Sequence, residues 1–126
     1  MCIFVSYTTR DYYVDRELLE SMCEVLSGYG DFYIDLLHNN SSDKQRHVEI
    51  MLSQAKLLLL ISSSSIGKSE WVRWELTEAE RISIPIITVQ ATSDRNETLS
   101  NLRSKLAAGY EKLTSCYTRI NYSLRS

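Results

Sequence analysis

Leu57-Leu58-Leu59-Leu60-Ile61 is an apolar run with no polar residue in it. A strand with one wet face alternates apolar and polar residues, so a run of this kind has to be covered from both sides. Cys2 to Tyr7 and Ile84 to Val89 are apolar apart from Ser6 and Thr88, and Phe32-Tyr33-Ile34 is a shorter example. Between them, apolar residues recur at helical spacing. Strands that alternate with helices over short connections form a parallel sheet, joined by right-handed crossovers and sandwiched between helices.

The expected fold is therefore α/β: a flavodoxin-like three-layer sandwich with a central parallel sheet of four or five strands and helices on both faces. Asp11 is placed to cap a first helix whose core face is Val14, Leu18, Met22 and Val25, and Gly28 and Gly30 end it. The second strand ends at Asp35, and Leu36 to Ser41 reads as a loop. Ser42-Asp43-Lys44-Gln45 has the form of a capping box, with Ser42 and Gln45 satisfying each other's free backbone N–H groups. The helix it opens faces the core with Val48, Met51, Leu52 and Ala55. Ser69 to Ile82 is the next helix, and Pro85 is tolerable near the start of the strand after it. Leu99, Leu102, Leu106, Tyr110 and Leu113 mark a last helix, and Cys116 to Tyr122 is either a short edge strand or an irregular tail. No repeat or linker divides the chain, so residues 1–126 read as one domain.

With 126 residues, 44% of them hydrophobic, the chain suits a single core. A formal net charge of -2 and scattered basic residues give no reason to expect nucleic acid or an anionic membrane as partner. Cys2, Cys23 and Cys116 match no zinc spacing and read as small buried hydrophobes of a reduced protein. With His38 and His47 as the only histidines, neither a Cys/His nucleophilic pair nor a His-based metal site is expected. No apolar run approaches the length of a membrane span, and Met1-Cys2-Ile3-Phe4-Val5 lacks the basic leader of a signal peptide. The expected location is the cytoplasm.

In open α/β sheets, ligands sit outside the carboxyl ends of the strands. Three loops reach that rim: Ser6 to Asp11, Asp35 to Asn40, and Ser62 to Ser69. The third is a phosphate-binding loop with serine in place of its first glycine. That glycine allows the tight backbone path around phosphate, and no later strand ends in an aspartate that would hold magnesium. A polar loop with Ser69 as helix N-cap is the better reading. On the helix that follows, Val72, Leu76 and Ala79 form the core stripe, with Trp71, Glu75 and Ile82 as an adjoining line. Glu75 then lies at the edge of the buried face, where burial and indole shift a carboxylate's pKa; a solvated helix residue is the alternative. Trp74 reads as the more exposed tryptophan, either packed under a loop or part of a partner-binding surface.

Ile3-Phe4-Val5-Ser6-Tyr7 followed by Asp11 resembles the first strand and loop of Toll/interleukin-1 receptor (TIR) domains, and Tyr33-Ile34-Asp35 their second strand with its terminal aspartate. Ser69-Glu70-Trp71-Val72-Arg73-Trp74-Glu75-Leu76 resembles their serine–tryptophan–glutamate helix, and Ile84-Pro85-Ile86-Ile87 the strand after it. The pieces follow the family's order from Cys2 to about Val89, although the loop from Asp35 to Ser42 is short and lacks the family's glycine-containing pattern. The resemblance is to a bacterial-type standalone TIR protein. Many members cleave NAD+ at the nicotinamide–ribose bond, and their catalytic glutamate falls on Glu75. By the same resemblance Tyr7 stacks on nicotinamide, Trp71 walls the ribose pocket, Arg10 meets a phosphate, and Asp35 and Ser69 belong to the substrate-binding set. Sheet-end packing for Tyr7 and loop capping for Asp35 stay open as alternatives. NAD+ is then a substrate, and neither a cofactor nor a metal is expected.

The implied activity is that of an NAD+ nucleosidase giving nicotinamide and ADP-ribose or a cyclic ADP-ribose isomer. In antiphage defence such a product signals to a separate effector, and the protein self-associates through TIR–TIR contacts. The alternative is a non-catalytic TIR–TIR interaction module, or an effector in signal transduction that mimics host adaptors, with Trp74 and the 8 tyrosines supplying its surface. A nucleoside deoxyribosyltransferase-like enzyme, with the glutamate as nucleophile, is a third option that the tryptophan-centred helix fits less well.

Overall fold

The computed structural model of the chain describes residues 2–39 and 41–109. Strands β1 (Ile3–Ser6), β2 (Phe32–Ile34), β3 (Leu57–Ser62) and β4 (Ile86–Gln90) pair in parallel throughout, in the order β2-β1-β3-β4. Three helices connect them: α1 (Arg16–Ser27), α3 (Lys44–Ser53) and α4 (Glu70–Arg81). A single turn, α2 (Asp35–His38), follows β2, and a helix over residues 95–109, called α5 here, follows β4. This is the expected flavodoxin-like α/β sandwich. The chain runs outward from β1 to β2 and then returns past β1 to β3, so the strand order reverses between β1 and β3 and opens a crevice at their carboxyl ends.

The period of two along each strand sorts the core into two layers. Ile3, Val5, Leu57, Leu59 and Ile61 pack with Leu18, Leu19, Met22 and Leu26 of α1 and with Leu102 and Leu106 of α5. Phe4, Tyr33 and Leu58 point the other way, to Val48 and Leu52 of α3 and Ala79 of α4. Both faces of the Leu57–Ile61 run are covered, as its lack of alternation requires.

Several boundaries differ from the sequence expectation. Asp15, not Asp11, caps α1, accepting the Leu18 N–H at 2.9 Å, and the buried stripe runs through Leu19 and Leu26 in place of Val25. Asp11 is drawn away by a partner 54 residues distant, described below. Asp43 caps α3 through the Arg46 N–H at 3.1 Å, so Ser42 and Gln45 form no capping box; an aspartate one residue closer to the helix takes the role. Leu36 to His38 is helical because the Asn39 N–H closes a turn onto the Asp35 carbonyl at 3.0 Å. β4 begins at Ile86, since Pro85 has no N–H, although its carbonyl already accepts the Leu58 N–H at 2.9 Å. Cys2 and Cys23 are half-buried free thiols rather than fully buried ones. Tyr110, Leu113, Cys116 and the segment to Tyr122 lie outside the described residues. Among the described residues no helix is long and apolar enough to cross a membrane.

Candidate functional site

β1 delivers the first part of the site. Alternation turns Phe4 and Ser6 toward the α3/α4 face, and Ser6 is the last residue of the strand. From β3 the chain passes through a polar loop and a short 3-10 turn (Ile66–Lys68) into α4, whose N-cap is Ser69 as expected; its Oγ accepts the Val72 N–H at 3.2 Å. The buried face of α4 is Val72, Glu75 and Ala79. Glu75 is thus not at the edge of the core but inside it, 3% exposed, and Ser6 Oγ donates to its Oε1 at 2.8 Å.

A cavity of about 300 Å³ opens in front of this pair, at the carboxyl ends of β1 and β2 and against the first turns of α4. Tyr7, Asp35, Ser69, Trp71 and Glu75 all line it, so five of the six residues singled out in the sequence meet in one place. Arg10 is exposed and does not line the cavity; Thr8 and Thr9 do so instead. Leu36 adds an apolar side chain that is itself exposed.

The electrostatics are governed by burial. Desolvation raises the pKa of Glu75 to about 7; the Ser6 hydrogen bond opposes this, the charge of Asp35 adds to it, and the Trp71 side chain lowers it slightly. Tyr7 is pushed up to about 12, chiefly by burial, and its hydroxyl oxygen accepts the Leu36 N–H at 2.8 Å, tying β1 to α2. Asp35 is held in turn: the Tyr33 hydroxyl donates to its Oδ1 at 2.8 Å and Asn39 Nδ2 at 2.7 Å. For Tyr7 and Asp35 the packing and anchoring roles are therefore real, and both side chains still line the cavity.

The two tryptophans exchange the roles expected of them. Trp71 is 40% exposed, while Trp74 is half-buried and packs against the core layer that contains Val48 and Leu52 of α3. A helical wheel knows only its own helix. α3 covers Trp74, whereas Trp71 projects from the first turn of α4 at the cavity wall.

The loop that resembled a phosphate-binding loop has its amides engaged internally. The Ser64 N–H goes to the Tyr13 hydroxyl at 3.0 Å and the Ser65 N–H to Asp11 Oδ2 at 2.8 Å. The N–H groups of Ile66, Lys68 and Ser69 bond carbonyls of the same loop. A phosphate cradle needs such amides free and no carboxylate beside them. Replacing Ser69 by alanine is expected to lower stability by about 1 kcal/mol through loss of the cap, read as a lower urea midpoint at unchanged slope.

No protein-family model matches the chain, and no curated protein matches it.

Proposed function

We propose that the protein is a TIR-type NAD+ nucleosidase that breaks the nicotinamide–ribose bond, with Glu75 as its catalytic carboxylate. One observation carries the reading: a buried glutamate lines a cavity at the carboxyl ends of β1 and β2, beside an aromatic wall. Nicotinamide leaves a cationic pyridinium as a neutral molecule, so no general acid is needed. The ribose passes through an oxocarbenium-like state, and a fixed carboxylate stabilises that positive charge more strongly in a dry site than in water. Water, or the adenine of the same molecule, then bonds to the ribose carbon and gives ADP-ribose or a cyclic isomer.

Tyr7 and Trp71 supply the flat surfaces for nicotinamide and ribose, and Asp35 and Ser69 the acceptors and donors for sugar hydroxyls. A cavity of about 300 Å³ suits a ring and a sugar; the adenosine half of the substrate would extend over the rim. A cytoplasmic location, self-association and a nucleotide signal to a separate effector in antiphage defence belong to the same proposal. The interaction-module alternative drew its surface from Trp74 and the tyrosines; Trp74 is packed against the core, while Tyr12 is exposed.

The test is chromatography of NAD+ after incubation with the concentrated protein beside Glu75→Gln. Nicotinamide release is expected, reduced at least about a hundredfold in the variant. Equal release by both proteins would remove Glu75 from the reaction, and no release by the wild type at high concentration would favour the interaction module.

A further inference from the structure

We propose that Ser6 is the positioning residue of this site: its hydroxyl fixes the Glu75 carboxylate in place and favours its charged form. The inference rests on the NAD+-cleaving reading for its catalytic meaning, but the bond itself stands on geometry. Ser6 is buried at the end of β1, a strand paired on both sides, with Ser6 in register with Leu60 of β3. Its backbone is therefore held by the sheet, and the 2.8 Å bond to Oε1 crosses from sheet to helix over 69 residues of chain. An ionised carboxylate accepts a hydroxyl proton more strongly than a protonated one, so the bond stabilises charge as well as orientation.

The surroundings leave this task to Ser6. Asp35, at the end of β2, opposes the charge on Glu75, while on α4 itself the Trp71 side chain gives a smaller favourable contribution. The Tyr7 and Tyr33 hydroxyls are both raised above their ordinary value and stay neutral. Among the described residues no cation acts on Glu75, and Ser6 is the strongest stabiliser of its ionised form.

The experiment is a carboxyl-carbon NMR titration of the full chain, with the Glu75 signal identified by its loss in Glu75→Gln. Ser6→Ala is expected to raise the Glu75 midpoint by about one pH unit or more, and Ser6→Thr, which keeps the hydroxyl, to restore it. Asp35→Asn should move it the other way. A Ser6→Ala midpoint equal to that of the wild type, or a Ser6→Thr midpoint displaced as far as the alanine variant's, would overturn the assignment. Nicotinamide release adds the catalytic readout: kcat of Ser6→Ala at pH 7 falls about fivefold or more and recovers at higher pH, with KM little changed. If the midpoint moves while no protein releases nicotinamide, Ser6 keeps its role and the NAD+ reading fails. If release occurs with the same midpoint and pH profile in both, the NAD+ reading stands and the Ser6 assignment fails.

Discussion

Glu75→Gln is expected to make the protein more stable at pH 8, by about 3 kcal/mol, while nicotinamide release falls at least about a hundredfold. Glu75 has an ordinary value of 4.5 and a folded value of about 7. Between those two pH values the folded protein keeps a proton that the unfolded chain has released. The folded state binds more protons there, so stability falls as pH rises through that window. The loss accumulates at about 1.4 kcal/mol per pH unit across the window and is complete above pH 7. Glutamine carries no charge to bury and can still accept the Ser6 proton, so the variant should escape the loss. Urea unfolding at pH 5 and pH 8 checks this: the wild type should weaken between the two with respect to the variant. A variant less stable than the wild type at pH 8 would mean that the carboxylate is better solvated than its burial indicates. Activity should follow the opposite course and rise with pH through about 7, since the oxocarbenium-like state needs the charged form.

Phe4→Ala is expected to lower stability by about 3–5 kcal/mol, a large part of what a single domain has. Phe4 is fully buried in β1, between β2 and β3, and its ring stacks on Tyr33 with centroids 5.5 Å apart. Its layer combines strand residues held by the sheet with Val48 and Leu52 of α3, so the space left by the ring cannot close easily. Tyr33 also holds Asp35 through its hydroxyl, so loosening the stack should disturb the cavity as well as the core. The control is Leu36→Ala, an exposed residue whose replacement should change stability by no more than about 0.5 kcal/mol. Denaturant melts of the two variants separate a packing loss from a general effect of truncation.

What the sequence made legible follows the range of the forces involved. The strands were readable because an unbroken apolar run has few ways to be buried, and Ser69 because a cap acts over three residues. Glu75 could be placed on the correct helix but only at the edge of its core face, because a wheel ranks a carboxylate by its neighbours on that helix. Its deeper position depends on Ser6, 69 residues earlier, and no local pattern pairs the two. The strand period does put Ser6 on the α4 side, and that signal was available once the order of the strands was known. Asp11 and Asp15 were equally good caps by local rules; the choice was made by Ser65, through its N–H at 2.8 Å and its Oγ at 3.0 Å. The exchange of Trp71 and Trp74 has the same origin, in a neighbouring helix that periodicity cannot see.

The bonds from Asp11 to Ser65 and from Tyr13 to Ser64 make the segments after β1 and β3 a single mechanical piece. The third side of the cavity mouth is built differently. α2 is one turn long and buries none of its residues; Asp35 and His38 tie its ends to Tyr33, Asn39 and Ile34, and the Leu36 N–H bonds the Tyr7 hydroxyl. What is loose at this side is the Leu36 side chain itself, which is exposed while the turn that carries it is anchored. A guest of awkward shape would be accommodated by the Leu36 side chain swinging aside, leaving the carboxylate and its serine where the sheet holds them.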